Sequence, residues 1–335
     1  MPSHNNLYLL KSAWSILFII LLTACSSRTS AAIPLKVIDT NTLTSTVAVV
    51  PTHTLIQPTI SPTKTQVVPT LPVPPLSCQE DVCVFPGHFI FHAPIGSDYN
   101  QKIEPSYLYG STQDNTREPH HGVEFINPLG TPVLAAGEGT VVFAGNDSNV
   151  EIGWWVNFYG NLVVIQHSVD GFDDPIFTLY GHLSKIVTRL GDVVKVGDKI
   201  GEVGMTGKAL GTHLHFEVRE GINDYAHTRN PELWLIPEYG NGALVGQIFN
   251  EDGETRRYNA LKLLSLDHSE MKLPQPVPYA DAGLNGDDTF MEVFAVGNLP
   301  SGKYELHFSP NGKPQIVPFE IITDSVTRIT FHTQY

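Results

Sequence analysis

The chain has 335 residues, with 34 acidic against 20 basic side chains and a formal net charge of −14 at pH 7. An acidic balance without any basic run excludes a protein that grips nucleic acid through its phosphates. The length leaves room for two compact domains.

The first element is an apolar run from Trp14 to Ala24 after Lys11, too short for a comfortable membrane span. It closes in Leu22-Thr23-Ala24-Cys25, a tetrapeptide that resembles a bacterial lipobox. The resemblance implies that residues 1–24 are a signal peptide, that Cys25 is lipidated, and that the protein sits in the cell envelope, anchored to the outer face of a bacterial membrane. An ordinary secretory signal with an incidental cysteine is the alternative, and it also means export. Residues 25–77 read as a linker rich in Thr, Pro, Ser and Val, whose prolines at 51, 58, 62, 69, 72, 74 and 75 favour an extended, semi-rigid spacer. Cys78 and Cys83 remain as an even pair, and in an oxidising compartment they are expected to close a small loop as a disulfide, two free thiols being the alternative.

Residues 78–240 read as β-rich. Short apolar runs at 132–136, 140–144, 162–167 and 177–183 are separated by Gly, Asn and Asp turns, with little amphipathic helix. Histidines and one acid punctuate them: His120-His121-Gly122-Val123-Glu124, then His182, then His213-Leu214-His215. Residues 212–218 read as a strand, so His213 and His215 face one side with Cα atoms roughly 6 to 7 Å apart. One can bind a metal while the other handles the proton of a water. His120 and Glu124 on a straight strand would lie about 13 Å apart, so sharing an ion requires a bend, which Gly122 permits. His121 is a rival to His120 at shorter spacing.

At these residues the chain resembles the lysostaphin/LytM family of zinc metallopeptidases. The stretch 120–141 is similar to that family's opening motif, and 160–167, 178–184, 191–207 and 211–219 follow in its order. The resemblance covers roughly residues 100–240. It implies an antiparallel β catalytic domain with Zn2+ held by His120, an acid at 124 and His215, while His182 and His213 act as catalytic histidines. It also implies cleavage of peptide bonds in the cross-bridges or stem peptides of bacterial peptidoglycan. The family has Asp where this chain has Glu124, and the added methylene displaces the carboxylate by about a bond length. A non-catalytic, LytM-like lipoprotein that binds the wall or activates another hydrolase is the second reading. His88, His92, His167, His268, His307 and His332 are expected to be structural; His227 is a structural residue with a second-sphere role as its alternative.

Two loops flank this pattern. Residues 151–159 bring Trp154, Trp155, Phe158 and Tyr159 together, either to stack on substrate or to pack on their own domain. Asp170 to Pro175 is most simply a turn, with calcium binding as a weaker reading. A lipoyl- or biotinyl-type carrier is disfavoured because Lys208 in Thr-Gly-Lys-Ala lacks the neighbours such a lysine needs. From residue 241 to 335, alternating strands with Gly, Pro and Asn turns predict a β-sandwich. With Gly246-Gln-Ile248 leading to Asp252-Gly253 and the Leu299-Pro-Ser-Gly-Lys-Tyr304 hairpin, it resembles the transthyretin-like domain beside some carboxypeptidases, which implies a scaffold or a surface for a wall or protein partner. The whole chain is thus expected to be all-β.

Overall fold

The structure is a computed structural model describing residues 74–250, 253–254, 260–280, 283–309 and 312–332. Residues 1–24, Cys25 and most of the linker lie outside the described residues. Among the described residues no helix is long and apolar enough to cross a membrane.

Among the described residues, eighteen strands and two short 3-10 turns make the fold almost entirely β. The strands are β1 (Ser77–Gln79), β2 (Val82–Pro86), β3 (Val123–Ile126), β4 (Pro132–Leu134), β5 (Gly139–Asn146), β6 (Asn161–His167), β7 (Ile176–Gly181), β8 (Lys185–Ile186) and β9 (Val193–Val194). They continue as β10 (Lys199–Glu202), β11 (His213–Glu220), β12 (Thr228–Arg229), β13 (Asn241–Phe249), β14 (Lys262–Ser265), β15 (Phe294–Pro300), β16 (Gly302–Phe308), β17 (Gln315–Ile321) and β18 (Ser325–His332).

The site-bearing sheet runs β12-β11-β7-β6-β5-β9, and β3 adds to the edge of β11 that β12 also uses. Its strands β6 and β7 are buried along nearly their whole length, which explains the unbroken apolar runs that mark them in the sequence. A small sheet, β4-β10-β8, closes over one end.

The second half is a β-sandwich. A sheet β1-β2-β18-β13-β15 faces a sheet β14-β16-β17 across one core that includes Leu244, Ile248, Val296 and Ile329 from the first and Leu263, Leu306 and Phe319 from the second. Alternation along β13 then does double duty: Leu244 points into that core, whereas Ala243 and Val245 join Phe85, Phe290 and Ala295 in a core shared with Leu233 and Trp234 of the preceding segment. The hairpin β1–β2, placed by sequence at the head of the catalytic segment, instead pairs with β18, Cys83 lying opposite Arg328. Its two cysteines, Cys78 and Cys83, are joined.

A long connection between β14 and β15 returns to the first half. Tyr279 packs edge-on against Tyr109 with ring centres 5.0 Å apart, and the Ala280 N–H donates to the Gly110 carbonyl at 3.0 Å. Gly110, with φ of +82°, has no room for a Cβ, which would stand 2.6 Å from the Tyr279 ring. The Gly110 N–H in turn donates to the His120 carbonyl at 2.8 Å, so the sandwich braces the loop that presents His120.

Candidate metal centre and cleft

Register brings the site together. In the antiparallel pair β3–β11, Glu124 lies directly opposite His215, so their side chains share one face of the sheet. His213 and His215 sit two apart on β11, both buried, and His120 enters from the loop before β3. Gly122 has a different role from the one its sequence suggests. It is not among the glycines with left-handed backbone; a Cβ there would stand 2.9 Å from the His215 ring and 2.5 Å from the Phe216 carbonyl. Its absence makes room for the imidazole. His182 lies just past the end of β7 with φ of +61°, a left-handed turn that swings its ring toward His213, with ring centres 4.9 Å apart.

The hydrogen bonds fix the tautomer of each ring. His120 donates from Nδ1 to the Tyr107 carbonyl at 2.7 Å, His182 from Nδ1 to the Thr206 carbonyl at 2.9 Å, and His213 from Nδ1 to the Gly211 carbonyl at 3.1 Å. Each therefore leaves Nε2 as a bare acceptor. His215 is reversed: Nε2 donates to Glu217 Oε1 at 3.0 Å and Nδ1 is the nitrogen turned inward. His120 Nε2 and His215 Nδ1 stand 3.2 Å apart and turn toward the same point. Burial, reinforced by the neighbouring His215, holds His120 well below the ordinary histidine range, and takes His182 down to about 3 and His213 to about 4. Burial also raises the Glu124 carboxyl, against the pull of His215.

Such a set of acceptors fits a metal ion. His120, Glu124 and His215 each offer a ligand atom, all within 4.8 Å of one another. Two imidazole nitrogens on a tetrahedral zinc, at about 2.0 to 2.1 Å from it, stand about 3.3 Å apart, which is close to the 3.2 Å found here. Glu124 Oε1 is 3.9 Å from His120 Nε2 and 3.5 Å from His213 Nε2. His213 Nε2 is buried without a hydrogen-bond partner. His121 also lines the cleft but stays out of the ligand group, its Nδ1 meeting the Tyr225 carbonyl at 3.0 Å and Thr228 Oγ1 at 2.9 Å. His227 pairs with Asp224 at 2.6 Å and stays outside the group. Asp170, Asp173 and Asp174 are likewise outside the group of potential metal ligands found among the described residues.

Behind His215 lies a buried cluster outside the five residues expected from sequence. Glu217 accepts from His215 and from the Tyr159 hydroxyl on Oε1, and from Arg219 on Oε2 at 2.8 Å. Burial works to raise its pKa, but Arg219, His215 and Tyr159 together outweigh it and take the carboxyl down to about 2. The signal was present in His213, His215, Glu217 and Arg219, four polar residues at alternate positions of one fully buried strand face. Of the two expectations for the 151–159 aromatics, Tyr159 follows the packing one and is buried; Asp147 holds its loop through the N–H groups of Tyr159 and Gly160 at 2.8 and 2.9 Å.

The histidines open into a cleft of about 290 Å³ walled by Tyr107, Trp155, Phe158, Leu210 and Tyr225. Trp155 and Phe158 thus line the cleft, whereas Trp154 is 45% exposed and packs against Trp155 and Tyr225.

Comparison with known proteins bears on the same segment. Residues 118–230 match Peptidase family M23. The chain is 41% identical over 100 residues to the peptidoglycan DD-endopeptidase ShyA of Vibrio cholerae, covering 30% of this chain and 20% of that protein. It is 35% identical over 142 residues to an uncharacterized metalloprotease of Buchnera aphidicola, covering 40% of this chain and 34% of that protein. The solved catalytic domain of lysostaphin from Staphylococcus simulans is 31% identical, with 40% of this chain and 90% of that chain covered and a TM-score of 0.32. The chain therefore spans about a third or less of the length of these two curated relatives. The match to Peptidase family M23 is thus confined to residues 118–230, about a third of the chain.

Proposed function

We propose that the protein is a zinc-dependent endopeptidase that hydrolyses peptide bonds in the cross-bridges or stem peptides of bacterial peptidoglycan. The observation that carries the reading is the meeting of the inward ring nitrogens of His120 and His215 beside the Glu124 carboxylate. Those three residues would hold the metal. A zinc ion there would polarise a scissile carbonyl and lower the pKa of a water to about 7.

The chain's own groups supply the rest. His213 Nε2, a bare acceptor fixed from behind by the Gly211 carbonyl, takes the proton of the attacking water. His182 Nε2, fixed from behind by Thr206, is the second proton carrier, placed to return one to the leaving amine. Glu217 keeps His215 in the tautomer that turns Nδ1 inward. The aromatic walls exclude bulk water from the peptide.

The peptidoglycan substrate is supported by the relative named as a peptidoglycan DD-endopeptidase. Export, lipidation at Cys25 and envelope localisation belong to the same proposal, resting on the sequence of the first 25 residues. The sandwich serves it as a transthyretin-like scaffold that braces the His120 loop.

The roles separate experimentally. His120→Ala, Glu124→Ala and His215→Ala are expected to lose stoichiometric zinc and turnover together; His182→Ala and His213→Ala keep zinc and lose turnover. Wild-type zinc content and turnover in Glu124→Ala would remove Glu124 from the ligand set. A wild-type protein that takes up no zinc would end the proposal.

A further inference from the structure

Two cations line the cleft, each tied to a different catalytic wall. Arg117, half-buried, holds its guanidinium 4.6 Å from the centre of the Tyr107 ring, the ring that stacks on His120 at 4.0 Å. Lys208 puts Nζ 4.7 Å from the centre of the Trp155 ring, and its N–H donates to the Phe158 carbonyl at 2.9 Å. It follows two residues after Thr206, whose carbonyl fixes His182. Arg117 thus belongs to the His120 side and Lys208 to the His182 side of one cleft.

Neither forms an ion pair among the described residues. Arg219 is committed to Glu217 at 2.8 Å, and Arg229 to Glu220 and Asp288 at 2.8 and 3.0 Å. Among the described residues, the head groups of Arg117 and Lys208 meet aromatic rings and no carboxylate within ion-pair distance. A guanidinium laid over a ring keeps its N–H edge free for a planar anion, and an ammonium keeps three donors. The cleft's own acids do not satisfy them: Glu124 belongs to the metal-binding group, and Glu118 is exposed at the rim. Elsewhere the cleft offers bare histidine nitrogens and aromatic faces, so these are its cationic anchors for a substrate.

We propose that Arg117 and Lys208 select peptides bearing free carboxylates on both sides of the scissile bond, Arg117 holding one and Lys208 the other. The substrate is then an anionic peptide and not a neutral, glycine-like one. This rests on the peptidase reading for the bond between the two carboxylates. Each contact is expected to add roughly three- to tenfold in specificity, the range for partly exposed charge-assisted hydrogen bonds.

The test uses one short peptide with a side-chain carboxylate on each side of its central bond, and the same peptide with both amidated. For the zinc-loaded protein, kcat/KM should favour the free acid by roughly tenfold or more, and added salt should shrink that ratio. In the Arg117→Gln/Lys208→Gln double variant the ratio should fall toward one, while the amidated peptide reports retained turnover. Binding of both peptides to metal-free protein, read by tryptophan fluorescence, separates the outcomes. If neither peptide is cleaved but the acid binds more tightly and the double variant loses that preference, the peptidase reading fails and the carboxylate assignment stands. Cleavage and binding without preference in the wild type overturn the assignment alone. A protein that neither cleaves nor binds either peptide overturns both.

Discussion

Replacing Glu217 by glutamine keeps the size of the side chain and removes the charge on which two functions converge. In the native protein Oε1 accepts from His215 Nε2 at 3.0 Å and from the Tyr159 hydroxyl, and Oε2 accepts from Arg219 at 2.8 Å, all of it fully buried. Breaking a buried ion pair from one side leaves the other charge uncompensated, at about 3 to 5 kcal/mol. Arg219 keeps the Asn223, Ile152 and Tyr159 oxygens at 3.0 to 3.3 Å, which places the expected loss near the lower end of that range. The second effect is at the proposed metal site. A glutamine amide can donate to His215 Nε2, which shifts the proton to Nδ1 and blocks the inward lone pair; second-sphere losses of this kind cost about 10- to 100-fold in metal affinity. Urea unfolding and zinc competition against a chelator measure the two quantities separately. Adding Arg219→Met should restore stability without restoring zinc affinity. Zinc affinity equal to wild type in Glu217→Gln would refute the tautomer argument, and unchanged stability would refute the buried pair.

Burial raises Glu232 from 4.5 to about 7, against the opposing pull of the Gly297 N–H at 2.8 Å. The folded state therefore holds a proton that the unfolded chain releases, so this residue's contribution to stability is intact below pH 4.5 and falls as pH rises to about 7, by about 3 kcal/mol in all. Glu232→Gln should flatten that slope in unfolding curves taken from pH 4 to 8, and an unchanged slope would show that Glu232 titrates normally. Gly122→Ala places a Cβ 2.9 Å from the His215 ring and 2.5 Å from a backbone carbonyl. It should cost about 1 to 3 kcal/mol and most of the zinc affinity, read by melting and metal content. Tyr279→Ala removes a buried ring from the brace behind His120, at about 3 to 5 kcal/mol, and should weaken zinc binding although Tyr279 touches no ligand side chain. Tyr279→Phe, which keeps the ring, should bind zinc as wild type; an equal defect in both would assign the effect to the hydroxyl bonded to Glu292.

The five residues proposed from sequence for the centre, His120, Glu124, His182, His213 and His215, do converge on one cleft, because spacing along a strand and order along the chain are local properties. The all-β character was legible for the same reason, in short apolar runs between glycine turns. What escaped the sequence depends on distant partners. Glu217 and Arg219 read as ordinary strand polars until the strand proves to be buried on both faces. The β1–β2 hairpin gives no sign that it will pair with β18, more than 230 residues away, because register across such a distance has no local signature. The brace through Tyr109, Gly110 and Tyr279 joins two segments that sequence alone assigns to separate domains.

The central claim is tested most directly by counting new amino termini released from purified peptidoglycan by residues 74–335, zinc-loaded and chelator-treated in parallel. The account predicts termini in the zinc-loaded sample, none after chelation, and recovery on adding zinc back. No new termini from protein shown to hold one zinc per chain would contradict it.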